Sequence, residues 1–307
     1  MAFSPQHFSA HGKLMLFGEY VVMRGVPALA FPTRMGQSLD VEPAESFSWT
    51  SYETGQLWFS MRFDADLNIL ETNNESVAQQ LMQILADVKA QQPDLFNNPI
   101  AFETQANFNR TWGFGSSATL ISLISQWSGL NAYALNEKHF GGSGYDIACA
   151  TASSPIWYNR ETKEVRNFDF PKTITDKLIF VYSGKKQNSQ QEVTRFGGVE
   201  IEPYILNQLN EIITDATTAD DIEQFEACIN QHEQILSEIL QRPTLKSAQF
   251  PDYQHEIKSL GAWGGDFFMA TCRDFDEAKI YFIDSGRDTI FTFNELIYGF
   301  EIKKLEI

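Results

Sequence analysis

The sequence predicts an α+β chain built as two domains. Three observations point there. The chain has 307 residues, more than one hydrophobic core usually serves. Its first half opens rich in strand signals before turning helical, and its second half mixes strands with helices. Between them lies a polar stretch with a proline, "RETKEVRNFDFPKTITDK" (160–177). The boundary is therefore placed between an N-terminal domain of residues 1–168 and a C-terminal domain of residues 169–307.

Taken in order, "KLMLFGEYVVMRGVPALA" (13–30) reads as strand, glycine-containing turn and strand. Further short strand signals follow between residues 40 and 63, with Trp49, Trp58 and Phe59. Between Asn74 and Gln91 the apolar residues Val77, Leu81, Ile84, Leu85 and Val88 recur at steps of three and four, which predicts an amphipathic helix. Ile100, Phe102, Thr104, Ala106 and Phe108 alternate with polar residues, as a half-buried strand does. Leu120, Ile121, Ile124 and Trp127 then line one face of a helix that Gly129 can close. In the second half the patterns predict a strand over 178–182 and helices over 201–216 and 221–240. A helix before Leu260, a strand over 267–272, a short helix and a strand over 280–284 complete it.

Forty acidic against 23 basic side chains give a formal charge of −17. Such a surface repels nucleic acid and anionic lipid, so neither is expected as a partner. Cys149, Cys228 and Cys272 are far apart and odd in number, which argues against a disulfide framework or a zinc site. The N-terminal stretch lacks the charge-then-apolar pattern of a signal peptide, and no segment reaches about 18 uninterrupted apolar residues. The cytoplasm is the expected compartment.

The segment "NRTWGFGSSATLISLISQW" (109–127) places Gly-Phe-Gly-Ser-Ser directly before a helix. A helix N-terminus exposes unpaired N–H groups and the positive end of the dipole. Glycines in the turn before it allow close backbone approach to a phosphate, and Ser116 and Ser117 add hydroxyls. An ordinary serine-capped turn fits the spacing equally well. The pattern GxxxxGK[ST] is absent. Gly113, Gly115 and Ala118 satisfy GxGxxA, but the preceding strand alternates where a dinucleotide-binding domain has a buried parallel strand.

"GFGSSAT" preceded by Asn109 resembles the phosphate-binding motif of the GHMP kinases, the superfamily of galactose, homoserine, mevalonate and phosphomevalonate kinases. Two further stretches agree in order. "HGKLMLFGEYVVMRGVPALA" is similar to that family's N-terminal motif, and "KSLGAWGGDFFMATC" to its glycine-rich third motif. "GGSGYDIACATASSPIWY" resembles the segment carrying the family's catalytic aspartate, and "GRDTIFTFNELI" a C-terminal end of bacterial relatives. The string "GYDIA" (144–148) suggests the bacterial branch named for it.

The resemblance implies a two-domain GHMP fold: a ribosomal-protein-S5-domain-2-like ATP-binding domain followed by a ferredoxin-like α/β sandwich. It implies transfer of the γ-phosphoryl group of ATP, with Mg²⁺, to a small-molecule acceptor. Asp146 is then the general base and Lys13 the cation that keeps it ionised. Asn109, Gly113, Gly115, Ser116, Ser117 and Ala118 cradle the phosphates with Gly264 and Gly265 of the third motif, and Ser117 is the magnesium ligand. Gly144 and Tyr145 line the acceptor side, and Glu19 and Tyr20 either line it too or pack beneath the strand. Arg110, by position, either adds a cation to the phosphates or is a surface arginine. Asp266 forms an Asx turn or orients its loop.

His11 stands where the family has proline, Tyr20 where mevalonate kinases have histidine, and Trp263 where the third motif has a small residue. "GEY" and "GGD" look more like bacterial phosphomevalonate kinases. Only 31 positions separate Gly115 from Asp146, and Glu137 does not match the spacing of the family's magnesium-binding glutamate, so no role is carried to it. His139 reads as a loop histidine. The leading expectation is a phosphomevalonate or mevalonate kinase of isoprenoid precursor synthesis. A GHMP-fold protein that binds nucleotide or a partner without catalysis, and a diphosphomevalonate decarboxylase, are the alternatives. A homodimer is compatible with the chain.

Overall fold

The computed structural model describes residues 4–185, Glu192 and residues 195–299. The α+β architecture expected from the sequence is the one observed, and the chain forms two compact units. Unit 1 comprises Met1–Gly12, Met35–Arg110 and Phe114–Thr151, and unit 2 comprises Lys13–Arg34, Thr111–Gly113 and Ala152–Ile307.

Two long strands, β1 (Gln6–Phe17) and β2 (Ala28–Pro43), contribute residues to both units. Unit 1 adds β3 (Phe47–Glu53), β4 (Gln56–Phe63), β5 (Ile69–Thr72) and β6 (Ile100–Ala106), in the order β5-β4-β3-β6-β2. The β3–β6 pairing is parallel, with Trp49 opposite Phe102, and the other pairings along this path are antiparallel. The two-residue alternation read from β6 is real: Ile100, Phe102, Thr104 and Ala106 are its buried positions. Onto that face pack α1 (Glu75–Gln91), capped by Asn74, and α2 (Ser116–Ser128), closed by Gly129 in a left-handed conformation. Leu81, Ile84, Leu85 and Val88 of α1 and Ile121, Ile124 and Trp127 of α2 share one core with Val41, Trp49 and Phe63. Each such side chain contributes roughly 1.5–3 kcal/mol by leaving water. Two short helices, α3 (Ala132–His139) and α4 (Tyr145–Ala150), complete the unit.

In unit 2, β7 (Ile156–Tyr158) pairs with Ala28–Ala30 of β2 and with β8 (Val165–Asn167). A short helix, α5 (Lys172–Thr175), leads into β9 (Leu178–Tyr182). A second, wholly antiparallel sheet runs β10-β11-β9-β12, where β10 is Ile257–Leu260, β11 Phe267–Thr271 and β12 Ile290–Thr292. Its helices are α6 (Pro203–Thr218), α7 (Ile222–Leu240), α8 (Leu245–Gln249), α9 (Phe275–Asp284) and α10 (Phe293–Leu296).

Two expectations need correction here. Residues 280–284 are not a strand: α9 runs through them, begun by Asp274, whose side chain caps the Glu277 N–H. Ala278 and Phe282, four apart, are its buried face, while Ile280 is 60% exposed. The stretch before Leu260 is a strand, β10, and the helix lies earlier, at α8. "IKSL" carries no strand alternation because all four residues are buried, the lysine included. β12 is three residues long, too short for any periodicity to show. No helix among the described residues is long and apolar enough to cross a membrane.

Candidate active site

The Gly-Phe-Gly turn is built by two residues that only glycine tolerates comfortably. Gly113 has φ 72° and Gly115 φ 82°, with Phe114 between them fully buried. Phe114 anchors the turn by packing its ring 5.6 Å from that of Phe108. Gly115 is the N-cap of α2 and offers no capping side chain, so the first-turn N–H groups receive none. Those groups, with the dipole of a 13-residue helix, form an anion-binding terminus. Ser116 and Ser117 stand in its first turn, Ala118 is buried beneath them, and Asn109 is exposed just upstream. Gly113 lies in unit 2 against Asp266: a Cβ there would collide with that carboxylate. The third-motif aspartate and the phosphate-loop glycine are thus neighbours.

Beside the helix terminus, unit 1 holds a cavity of about 180 Å³ lined in part by Trp49, Trp58, Phe59, Arg110, Ser116 and Ser117. The Arg110 guanidinium lies 3.4 Å from the centre of the Trp58 ring. Its Nε donates to Glu53 Oε2 at 2.7 Å and its backbone N–H to Glu53 Oε1 at 3.0 Å. Arg110 therefore reaches the serine side of the cavity with its charge matched by Glu53. Thr119 Oγ1 shares its proton between Gln37 Oε1, at 2.8 Å, and the Ser116 carbonyl, at 3.0 Å, tying the first turn of α2 to a residue that also lines the cavity. Sequence reasoning did not find the aromatic wall. Trp49, Trp58 and Phe59 showed only as strand residues, and the facing α1 positions as an ordinary helical stripe.

Asp146 is in the first turn of α4, after Gly144 at φ 88°, and its Oδ1 accepts the N–H of Ile147 at 3.1 Å. Tyr145 precedes it, and Ile147 and Ala150 pin the helix into the unit 1 core. His139, in the last turn of α3, engages Asp87 at 2.8 Å, and Lys138 Nζ donates to the same carboxylate at 2.6 Å. The Lys138 hydrogen bond, ahead of that of His139, holds Asp87 below the ordinary carboxylate range. Glu137 is exposed. Among the described residues no group of three His, Cys, Asp or Glu side chains is arranged to hold a metal ion. Ser116 and Ser117 both place hydroxyls at the helix terminus beside the cavity and the phosphate turn, and Mg²⁺ commonly completes its shell with phosphates and water.

Lys13 lies in β1 and belongs to unit 2, as do Glu19, Tyr20, Gly264 and Gly265. Glu19 is buried and paired: Lys258 Nζ donates to its Oε1 at 2.7 Å and to Glu233 Oε1 at 2.9 Å. Burial, with Glu233 adding to it and Lys258 opposing it, pushes the Glu19 carboxyl up to about 7. Tyr20 has φ 63°, and its hydroxyl accepts the Trp263 N–H at 2.7 Å. Burial pushes that phenol up to about 12. Trp263 is itself buried, its ring N–H donating to the Pro243 carbonyl at 3.1 Å, so its bulk packs into unit 2. The three cysteines are buried, and none of them forms a disulfide among the described residues.

No family model matches the chain, and no curated protein matches it. Solved structures do. The chain is similar to the mevalonate kinase of Methanococcus jannaschii, at 16% identity and TM-score 0.71, over 97% of this chain and 99% of that one. The phosphomevalonate kinase of Streptococcus pneumoniae, in complex with phosphomevalonate and AMPPNP, matches at 18% identity and TM-score 0.71 over 94% and 99%. The galactokinase of Lactococcus lactis, complexed with galactose, matches at 12% and 0.68 over 96% and 94%.

Proposed function

We propose that this chain, whose fold is that of the GHMP kinases, transfers the γ-phosphoryl group of Mg·ATP to a small-molecule acceptor. The observation that carries the reading is the uncapped N-terminus of α2, preceded by two left-handed glycines and opening beside an aromatic cavity. That terminus suits the polyphosphate, and the cavity wall of Trp49, Trp58 and Phe59 suits a purine ring. Phosphomevalonate or mevalonate is the proposed acceptor, from the "GEY" and "GGD" strings and from the substrates of two of the structures the chain is similar to.

In this reading the N–H groups of the Gly113–Ala118 turn hold the phosphates, and Gly264 and Gly265 are assigned, from their place in the third motif, further backbone donors to an anion. Asp146 accepts the proton of the attacking acceptor oxygen as its bond to the γ-phosphorus forms and the bond to the β–γ bridging oxygen breaks, releasing ADP. Lys13 is assigned, from its place in the N-terminal motif, the role of the cation that keeps the base ionised. Ser117 would hold Mg²⁺, which would supply charge neutralisation on the phosphates.

The test incubates purified chain with Mg·ATP and, separately, mevalonate, 5-phosphomevalonate, diphosphomevalonate, homoserine and galactose, following ADP and identifying products by mass. One acceptor is expected to stimulate ADP release, and Asp146→Asn to lower kcat by 10²-fold or more, as loss of a general base does at about 10²–10⁴. Nucleotide binding with no acceptor-dependent turnover sinks the kinase reading in favour of a binding protein. Loss of CO₂ from diphosphomevalonate turns it into a decarboxylase.

A further inference from the structure

Unit 2 contains a group of buried ionisable side chains for which the chemistry above has no use. Lys258, from the middle of β10, is completely inaccessible. Its three ammonium protons are all taken, by Glu19 Oε1 at 2.7 Å, Glu233 Oε1 at 2.9 Å and the Ser259 carbonyl at 2.9 Å. The ammonium sits 5.4 Å from the Phe17 ring centre. His232, also buried, accepts the Gly18 N–H through Nε2 at 3.4 Å, and that nitrogen lies 3.7 Å from Glu19 Oε2. The second carboxylate oxygens of Glu19 and Glu233 have no hydrogen-bond partner among the described residues. Such a cluster is a poor way to gain stability, because desolvating three charges costs several kcal/mol each and an apolar trio of like volume does as well or better.

What the cluster grips is a strained piece of backbone. At Tyr20, φ is 63° and ψ −47°, and the Val21 N–H donates to the Glu19 carbonyl at 2.7 Å. That is a γ-turn of the rare, strained hand, centred on a bulky residue. It is held from both sides. The Glu19 carboxylate is fixed by Lys258, and the Tyr20 hydroxyl accepts the Trp263 N–H. Lys258 stands three residues before Gly261, where the glycine-rich turn begins, and Trp263 lies inside it. One ammonium and one phenol therefore tie the 18–20 turn to the 261–265 turn.

We propose that Lys258 is a positioning residue. Clamped between Glu19 and Glu233, it holds the strained turn at Tyr20 and, through the Tyr20–Trp263 bond, sets the glycine-rich turn that presents backbone donors to the transferred phosphate. The assignment rests on the kinase reading above. Its cluster is polar because the link must have a unique register, which an apolar contact does not impose.

The full chain is compared with Tyr20→Phe and with the triple variant Glu19→Gln/Lys258→Met/Glu233→Gln, which replaces the charges by neutral groups of similar shape. The triple variant is expected to melt near the wild type. Amide exchange of the 261–265 peptide, read by mass spectrometry without any ligand, is expected to quicken about 10-fold or more in both. With an acceptor that is turned over, kcat is expected to fall on the order of 10²-fold, the effect of a misplacement near 1 Å, with KM for Mg·ATP within about twofold.

A triple variant with wild-type melting, exchange and kcat makes the cluster a plain structural ion pair and overturns the proposal. Should the triple variant not fold, Tyr20→Phe decides, since it leaves every charge in place: unchanged exchange and kcat there mean that the link is inert. If the wild-type chain turns over no acceptor, the kinase reading and the transfer role fall together, while the exchange arm separately decides whether the cluster holds the turn.

Discussion

Glu19 shows how differently one residue reads in sequence and in space. In "GEY" it stands as a carboxylate of the acceptor side. In the structure it is 2% exposed and faces Lys258 from β10 and Glu233 and His232 from α7. Burial raises its pKa from 4.5 to about 7, so the folded chain holds a proton that the unfolded chain has already lost. The stabilisation from that proton is complete below about pH 4.5 and is lost as pH rises to about 7. Asp64 and Asp87 have lowered values, through hydrogen bonds from Asn68 and Lys138 respectively, and their contributions are lost only at lower pH. Urea denaturation at pH 5, 6, 7 and 8 is therefore expected to contain a falling component that Glu19→Gln removes, while burial, with Lys258 beside it, holds the His232 imidazole neutral and adds a component of opposite sign below about pH 6.5. A wild-type slope that the variant leaves intact would assign the titration elsewhere.

At the scale of elements, α9 separates two readings of one stretch. A strand places Ile280 and Phe282 on the same face, two residues apart. The observed helix buries Phe282 completely and leaves Ile280 exposed. Ile280→Glu is expected to change stability by no more than about 0.5 kcal/mol, and Phe282→Ala to cost about 3–5 kcal/mol. Equal large losses from both, in chemical denaturation, would restore the strand. The helix was legible in its cap, Asp274, and in the spacing of Ala278 and Phe282. The apolar content of "IYFI" masked that signal because Ile280 and Ile283 lie on the outer side.

For the whole molecule, the prediction concerns linkage between ligand and folding. A ligand that binds only the folded chain stabilises it by about 2.7 kcal/mol at a concentration 100 times its Kd. Mg·ATP is expected to raise the melting temperature of the wild type and of Asp146→Asn alike, because the aspartate is assigned to chemistry and not to nucleotide binding. A shift in the wild type that Asp146→Asn abolishes would place the aspartate in the nucleotide site. The two units interleave in sequence: residues 13–34 and 111–113 group with the C-terminal half. Such grouping depends on which strand pairs where, which one linear pattern does not carry.

The sequence by itself determined the elements whose signals are local. The Asn74 cap and the stripe of α1, the alternation of β6, and the Gly113–Gly115 turn that opens α2 each depend on neighbours within a few residues. The motif order carried the GHMP likeness for the same reason. Only the tertiary structure decided what joins residues hundreds of positions apart. It placed Trp58 and Arg110 in one cavity with Ser116, set Asp266 against Gly113, and buried Lys258 between Glu19 and Glu233. A lysine in a strand signals exposure unless its counter-charges are known, and those come from the turn after β1 and from α7, brought to it only when the chain folds.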